Sequence, residues 1–98
     1  MLDLAPKHLE MVRAILQRRV PKARAWAFGS RVKGTAQRFS DLDLALENEE
    51  PLSLRTLALL DADFAESDLP IKVDVVDLRT VAPAFRERVE RSGLPLNT

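Results

Sequence analysis

Apolar residues recur along this chain with two different periods, and the switches between them outline the fold. Leu9, Val12, Ile15, Leu16 and Val20 fall at helical spacing, which predicts an amphipathic helix over roughly residues 5–19. Pro6 suits its first turn and Pro21 lies just beyond its end. The run ARAWAF (Ala23 to Phe28) reads as a short strand stopped by Gly29. DLDLAL (Asp41 to Leu46) alternates with period two, as a strand with two unlike faces does. ENEEP makes a turn, and Leu54, Leu57, Leu60 and Phe64 then stripe a second long helix with Ser53 as its N-cap. SDLP breaks that helix, and IKVDVV (Ile71 to Val76) forms a third strand. Val81, Phe85 and Val89 mark a last helix, with Pro83 in its first turn and Gly93 at its C-terminal end. Helix, strand, strand, helix, strand, helix predicts an α/β (α+β) fold, with helices packed on a small sheet.

Composition narrows the picture. Ninety-eight residues, 46% of them apolar, predict one domain spanning 1–98 with a single core. Fifteen basic and fifteen acidic residues cancel, so no general field draws the chain to nucleic acid or membrane, and direct nucleic-acid binding is not expected. The chain has no cysteine, which excludes disulfides and thiolate zinc sites and suits a reducing cytoplasm. No apolar run reaches the roughly 18 residues of a membrane span, and the N-terminus has no signal-peptide core. His8, the one histidine, is expected on the exposed face of the first helix with no role.

One stretch departs from what packing alone requires: FGSRVKGTAQRFSDLDLALE, Phe28 to Glu47. Asp41 and Asp43 leave the same strand face, their Cα atoms about 6.5–7 Å apart at roughly 3.3 Å rise per residue. Leu42 and Leu44 between and beyond them are expected in the core, which fixes the register. Two carboxylates so placed repel unless a cation joins them or one is protonated. A hard divalent ion such as Mg²⁺ takes oxygen ligands of this kind and completes its shell with water and phosphate. Gly29 allows a sharp turn, and Ser30 offers a hydroxyl. A short helix starting there would aim free N–H groups at a phosphate. Arg31, Lys33 and Arg38 in the same loop are candidates to neutralise the remaining phosphate charge. A phosphate cradle beside metal carboxylates is equipment for phosphoryl or nucleotidyl transfer.

The stretch GSRVKGTAQRFSDLDLAL resembles the signature of the nucleotidyltransferase superfamily that includes DNA polymerase beta: Gly-Ser, about ten residues, then Asp-x-Asp. With its ending KVDVVDLRTVAPAFRERVERSGLPL, nearly the whole chain resembles the smallest members, the minimal nucleotidyltransferase (MNT) domains. The resemblance implies a small mixed sheet flanked by helices, ATP as nucleotide, Mg²⁺ as cofactor, and a third carboxylate on a later strand. It places Gly29 and Ser30, with Arg31, at the nucleotide and Asp41 and Asp43 at the metal. Asp74 and Asp77 are both candidates for the third carboxylate. Asp74 is preferred, because a charge inside IKVDVV needs a purpose, and it would complete the metal site and take the acceptor's proton.

Many MNT domains are antitoxins encoded beside a helical HEPN ribonuclease, and some inactivate it by adding AMP to a tyrosine. The partner implied is therefore a HEPN toxin, met through the loop from Arg31 to Ser40 and the segment Leu94 to Thr98. Two alternatives stand beside transfer: neutralisation by occlusion alone, and transfer to a small molecule. The oligomeric state is left open, a homo-oligomer included.

Overall fold

A computed structural model describes residues 2–96. Helix α1 (Pro6–Arg19) leads into strand β1 (Arg24–Phe28), and a four-residue helix α2 (Ser30–Lys33) follows at once. Strand β2 (Leu42–Glu47), helix α3 (Leu54–Glu66) and strand β3 (Val73–Asp77) form a crossover unit. Helix α4 (Pro83–Ser92) and a two-residue strand β4 (Leu94–Pro95) complete the fold. The strands lie in the order β3-β2-β1-β4. β1 is antiparallel to β2 and β4, whereas β2 and β3 run parallel, the arrangement a helical crossover requires. The predicted small mixed sheet flanked by helices is what the chain forms. Among the described residues no helix is long and apolar enough to cross a membrane.

Period-two alternation gives each strand two faces. Leu42, Leu44 and Leu46 of β2 are fully buried on one, with Ala25 and Ala27 of β1 beside them. α1 covers this face with Val12, Ile15 and Leu16, and α3 covers it with Leu60 and Phe64. α3 is started by Ser53, whose hydroxyl accepts from the Thr56 N–H at 3.0 Å. Asp63 of α3 accepts a hydrogen bond from Arg19 and pairs with Arg18 at 3.3 Å, which holds its carboxyl below the usual range. The opposite face carries a smaller cluster of Trp26, Ala45, Leu78 and Val89 under α4. Arg86 anchors α4 there by pairing with Glu47 of β2.

β4 is an addition to the predicted elements. Gly93 lets the chain close onto β1: a Cβ there would lie 2.5 Å from the Val89 carbonyl and 3.3 Å from the Trp26 Cβ. Leu94 and Pro95 then pair with Ala27 and Trp26, and Leu96 is buried in the larger core. Leu94 to Leu96 belongs to the sheet edge and core, and residues 97–98 lie outside the described residues. His8 is half-buried rather than exposed and lines a hollow shared with Arg31 and Phe39.

Candidate active site

The turn after β1 shapes the site. Gly29 has φ 80° and ψ −156°, a region that side-chain-bearing residues avoid. A Cβ at this position would also stand 2.3 Å from Oδ2 of Asp43. The missing side chain therefore serves the turn and the carboxylate together. α2 starts at the next residue, and the Val32 and Lys33 N–H groups both donate to the Gly29 carbonyl at 3.1 Å. The N–H groups of Ser30 and Arg31 have no acceptor among the described residues. They are the free donors that a helix start offers an anion. Gly34, in the left-handed conformation, ends this single turn.

The carboxylates come from β2 and β3. Asp43 faces Phe28 across the β1–β2 ladder and Asp74 across the β2–β3 ladder. Asp41 stands one residue before β2, exposed. Burial, then the negative charges of Asp74 and Asp41, push the Asp43 carboxyl above its ordinary value. Asp74 is about half exposed and pairs with Lys72 at 3.3 Å. Asp77 has a different task. It is buried, and its carboxylate accepts from the Leu52 N–H at 2.7 Å and the Arg79 N–H at 2.9 Å. Being three residues from Asp74 on one strand, it also leaves the opposite face. Of the two candidates, Asp74 is the one brought beside Asp43.

Comparison with known proteins places this geometry. The family model described as "Polymerase beta, Nucleotidyltransferase" matches residues 10–97. The chain belongs to this nucleotidyltransferase family. It is 48% identical over 90 residues, 92% of its length, to the "Probable protein adenylyltransferase MntA" of Haemophilus influenzae, covering 79% of that protein. A crystal structure of a toxin–antitoxin with AMP-PNP superposes with a TM-score of 0.77 at 30% identity, over 90% of this chain and 71% of that one. A structure of the tri-AMPylated Shewanella oneidensis HEPN toxin in complex with MNT antitoxin gives 0.71 at 25% identity, over 92% and 69%.

Within this nucleotidyltransferase domain the basic loop divides its work unevenly. Arg31 is buried, and its guanidinium donates to the carbonyls of Asp3, Gln37, Arg38 and Ser40 at 2.8–3.4 Å. The expectation that its side chain neutralises phosphate is corrected: its donors hold the loop in shape, and only its backbone N–H is left for an anion. Lys33 and Arg38 are exposed and form no ion pair among the described residues. Arg38 instead lies over the ring of Phe39 at 5.2 Å. Sequence reasoning missed Phe28, Phe85 and Arg88, which stand beside Gly29. Helical spacing had assigned Phe85 to the core, and no motif marked Arg88.

The donor set fits a hard divalent cation in chemistry. Asp43 and Asp74 in register on one sheet face, with Asp41 just before β2, raise a negative potential that an ion such as Mg²⁺ would relieve. Among the described residues they do not already converge as a ligand group, and the Asp74–Lys72 pair engages the third.

Proposed function

We propose that this chain is an antitoxin that transfers AMP from ATP to a tyrosine hydroxyl of a cognate HEPN-type toxin. The observation that carries the reading is the Asp43 carboxylate lodged against side-chain-free Gly29, with Asp74 in register beside it. The phosphate turn and the carboxylates are thereby parts of one surface. The likeness to MntA and to the complexes with AMP-PNP and with a tri-AMPylated HEPN toxin supports the nucleotide and the partner.

In this reading the Ser30 hydroxyl and the free N–H groups of Ser30 and Arg31 hold the triphosphate. Asp41, Asp43 and Asp74 would hold Mg²⁺, which when bound neutralises phosphate charge and favours the attacking oxygen. Asp74, the most open of a strand-borne pair, takes the proton of the acceptor hydroxyl. The acceptor oxygen then bonds to the α-phosphorus, the bond from that phosphorus to the bridging oxygen breaks, and pyrophosphate leaves. These 98 residues contain no tyrosine, so transfer to tyrosine acts on another molecule. The loop from Arg31 to Ser40 is the contact surface in this reading, with Phe39 at 68% exposure as its apolar anchor.

Incubation with ATP, Mg²⁺ and the candidate toxin should add about 329 Da per AMP to a toxin tyrosine, a charge-adding modification of a side-chain hydroxyl. Wild-type chain should do this and Asp43→Asn should not. An unmodified toxin neutralised in a stable complex would establish occlusion instead.

A further inference from the structure

The sheet has two edges, and only one of them is blunted. Strand β4 closes one edge with two residues, of which Pro95 has no N–H to offer. β3 is the other edge, five residues long and without proline. Its inward bonds follow from the parallel register. The Leu42 N–H donates to the Lys72 carbonyl and the Leu78 N–H to the Leu46 carbonyl, each at 2.9 Å. Lys72, Asp74, Val76 and Leu78 therefore bond to β2, and Val73, Val75 and Asp77 turn their N–H and C=O groups outward. The Asp77 carbonyl is taken by the N–H and the hydroxyl of Thr80. The outward groups of Val73 and Val75 have no partner among the described residues. Beside them a hollow of about 450 Å³ lies between α3 and the strand, lined by Ala62, Ala65, Leu69, Ile71 and Val73. The other flank of α3 is tied to α1 through Asp63, and on this flank Ala62 and Ala65 are exposed.

We propose that β3 pairs antiparallel with β3 of a second copy of this chain, about a two-fold axis at Val73. In this register Val73 meets its own copy, Ile71 meets Val75, and Lys72 meets Asp74. The two-fold repeats the Lys72–Asp74 match on both sides of the axis, and opposite charges placed directly across a ladder stabilise it. Lys72 and Asp74 of one chain already pair at 3.3 Å, so the four side chains form a cluster of alternating sign. On the other face Ile71, Val73 and Val75 of the second copy border the hollow under α3 and extend its apolar lining. A register centred on Val75 would set Asp74 against Val76, and Val73 against an Asp77 whose carbonyl is already engaged. A lysine on a free edge ordinarily deters pairing. Here the edge carries both halves of the charge match, which selects a second copy over an unrelated strand. The second copy also contributes a lysine beside Asp74, so the interface and the third carboxylate adjoin.

Sedimentation velocity over a dilution series should show the wild-type chain, 11.0 kDa, approaching twice that mass. Lys72→Glu sets like charges across the ladder and should weaken the dimer about 2- to 30-fold, the range for two cross-strand pairs. Adding Asp74→Lys to Lys72→Glu restores the match and should return the dissociation constant to within twofold of wild type. Val75→Pro removes an outward N–H and should leave a monomer with an unchanged circular dichroism spectrum. Lys72 is exposed, so the charge variants decide the register if the proline chain fails to fold. A wild-type chain that stays monomeric at every concentration overturns the proposal, as does a dimer indifferent to Lys72→Glu. A monomer whose toxin binding is lost in Val75→Pro would give this edge to the toxin instead. No arm reads AMP transfer, so nucleotidyl transfer stands or falls separately.

Discussion

The two faces of the sheet are built from the same strands and do opposite work. On the α1/α3 face β2 presents Leu42, Leu44 and Leu46, all fully buried. On the α4 face the same strand presents Asp43, Ala45 and Glu47, and only Ala45 is fully buried. Stability is concentrated where two helices cover a leucine row, so the other face can carry charges that oppose folding. A two-residue period lets one six-residue strand serve both ends without compromise.

Breaking the leucine face should have the largest effect. Leu44→Ala should cost about 2–5 kcal/mol, as large-to-small changes in packed cores do, read by urea denaturation. A cost below about 1 kcal/mol would mean that the two faces do not divide stability as described.

Next comes the contrast between the aspartates of β3. Asp77→Ala removes a charged acceptor from two backbone donors and should cost about 1.5–3 kcal/mol. Asp74→Asn should move stability by no more than about 0.5 kcal/mol yet remove transfer. The reverse pattern would exchange the structural and catalytic roles assigned to them.

Asp43→Asn should abolish transfer without weakening the fold. The native Asp43 carboxyl is raised by burial, then by Asp74 and Asp41, so the folded chain binds a proton more readily than the unfolded one. Its charged form therefore costs stability above the folded pKa, and the cost is relieved as pH falls through that value. Metal-free melts should place Asp43→Asn above wild type at neutral pH, with the gap closing on acidification. A gap that widens on acidification has the wrong sign for this account.

The smallest expected stability change belongs to Phe39→Ser on the exposed loop, within about 0.5 kcal/mol. Its effect should appear in toxin binding, measured by surface plasmon resonance. Undiminished affinity would move the contact surface elsewhere.

How much of this was legible in the sequence follows the same division. The leucine row and the three long helices announce themselves by period, the first and third strands by short runs bounded by breakers, and the Gly-Ser and Asp-x-Asp spacing locates the turn and the carboxylates. β4 left no trace, because two residues cannot show alternation and Pro95 reads as a breaker although edge strands tolerate it. Arg31 was misassigned because an arginine in a basic loop looks the same whether its donors face phosphate or carbonyls. Its acceptors lie as far away as Asp3, and no local pattern encodes them. The Phe28–Phe85 pair beside Gly29 was hidden for a like reason: its rings are 57 residues apart and each fits an ordinary apolar stripe.

The 2.3 Å that separates an imagined Cβ at Gly29 from Asp43 has a historical consequence. The two positions form a ratchet in any lineage descended from this chain. While Asp43 is present, every side chain at Gly29 meets both a forbidden backbone angle and an occupied space. Once Asp43 shortens to Ala or Ser, the steric half of that barrier is gone, but φ 80° with ψ −156° still holds the position to glycine. Loss of activity should therefore be recorded in a fixed order, with the aspartate failing before the glycine drifts.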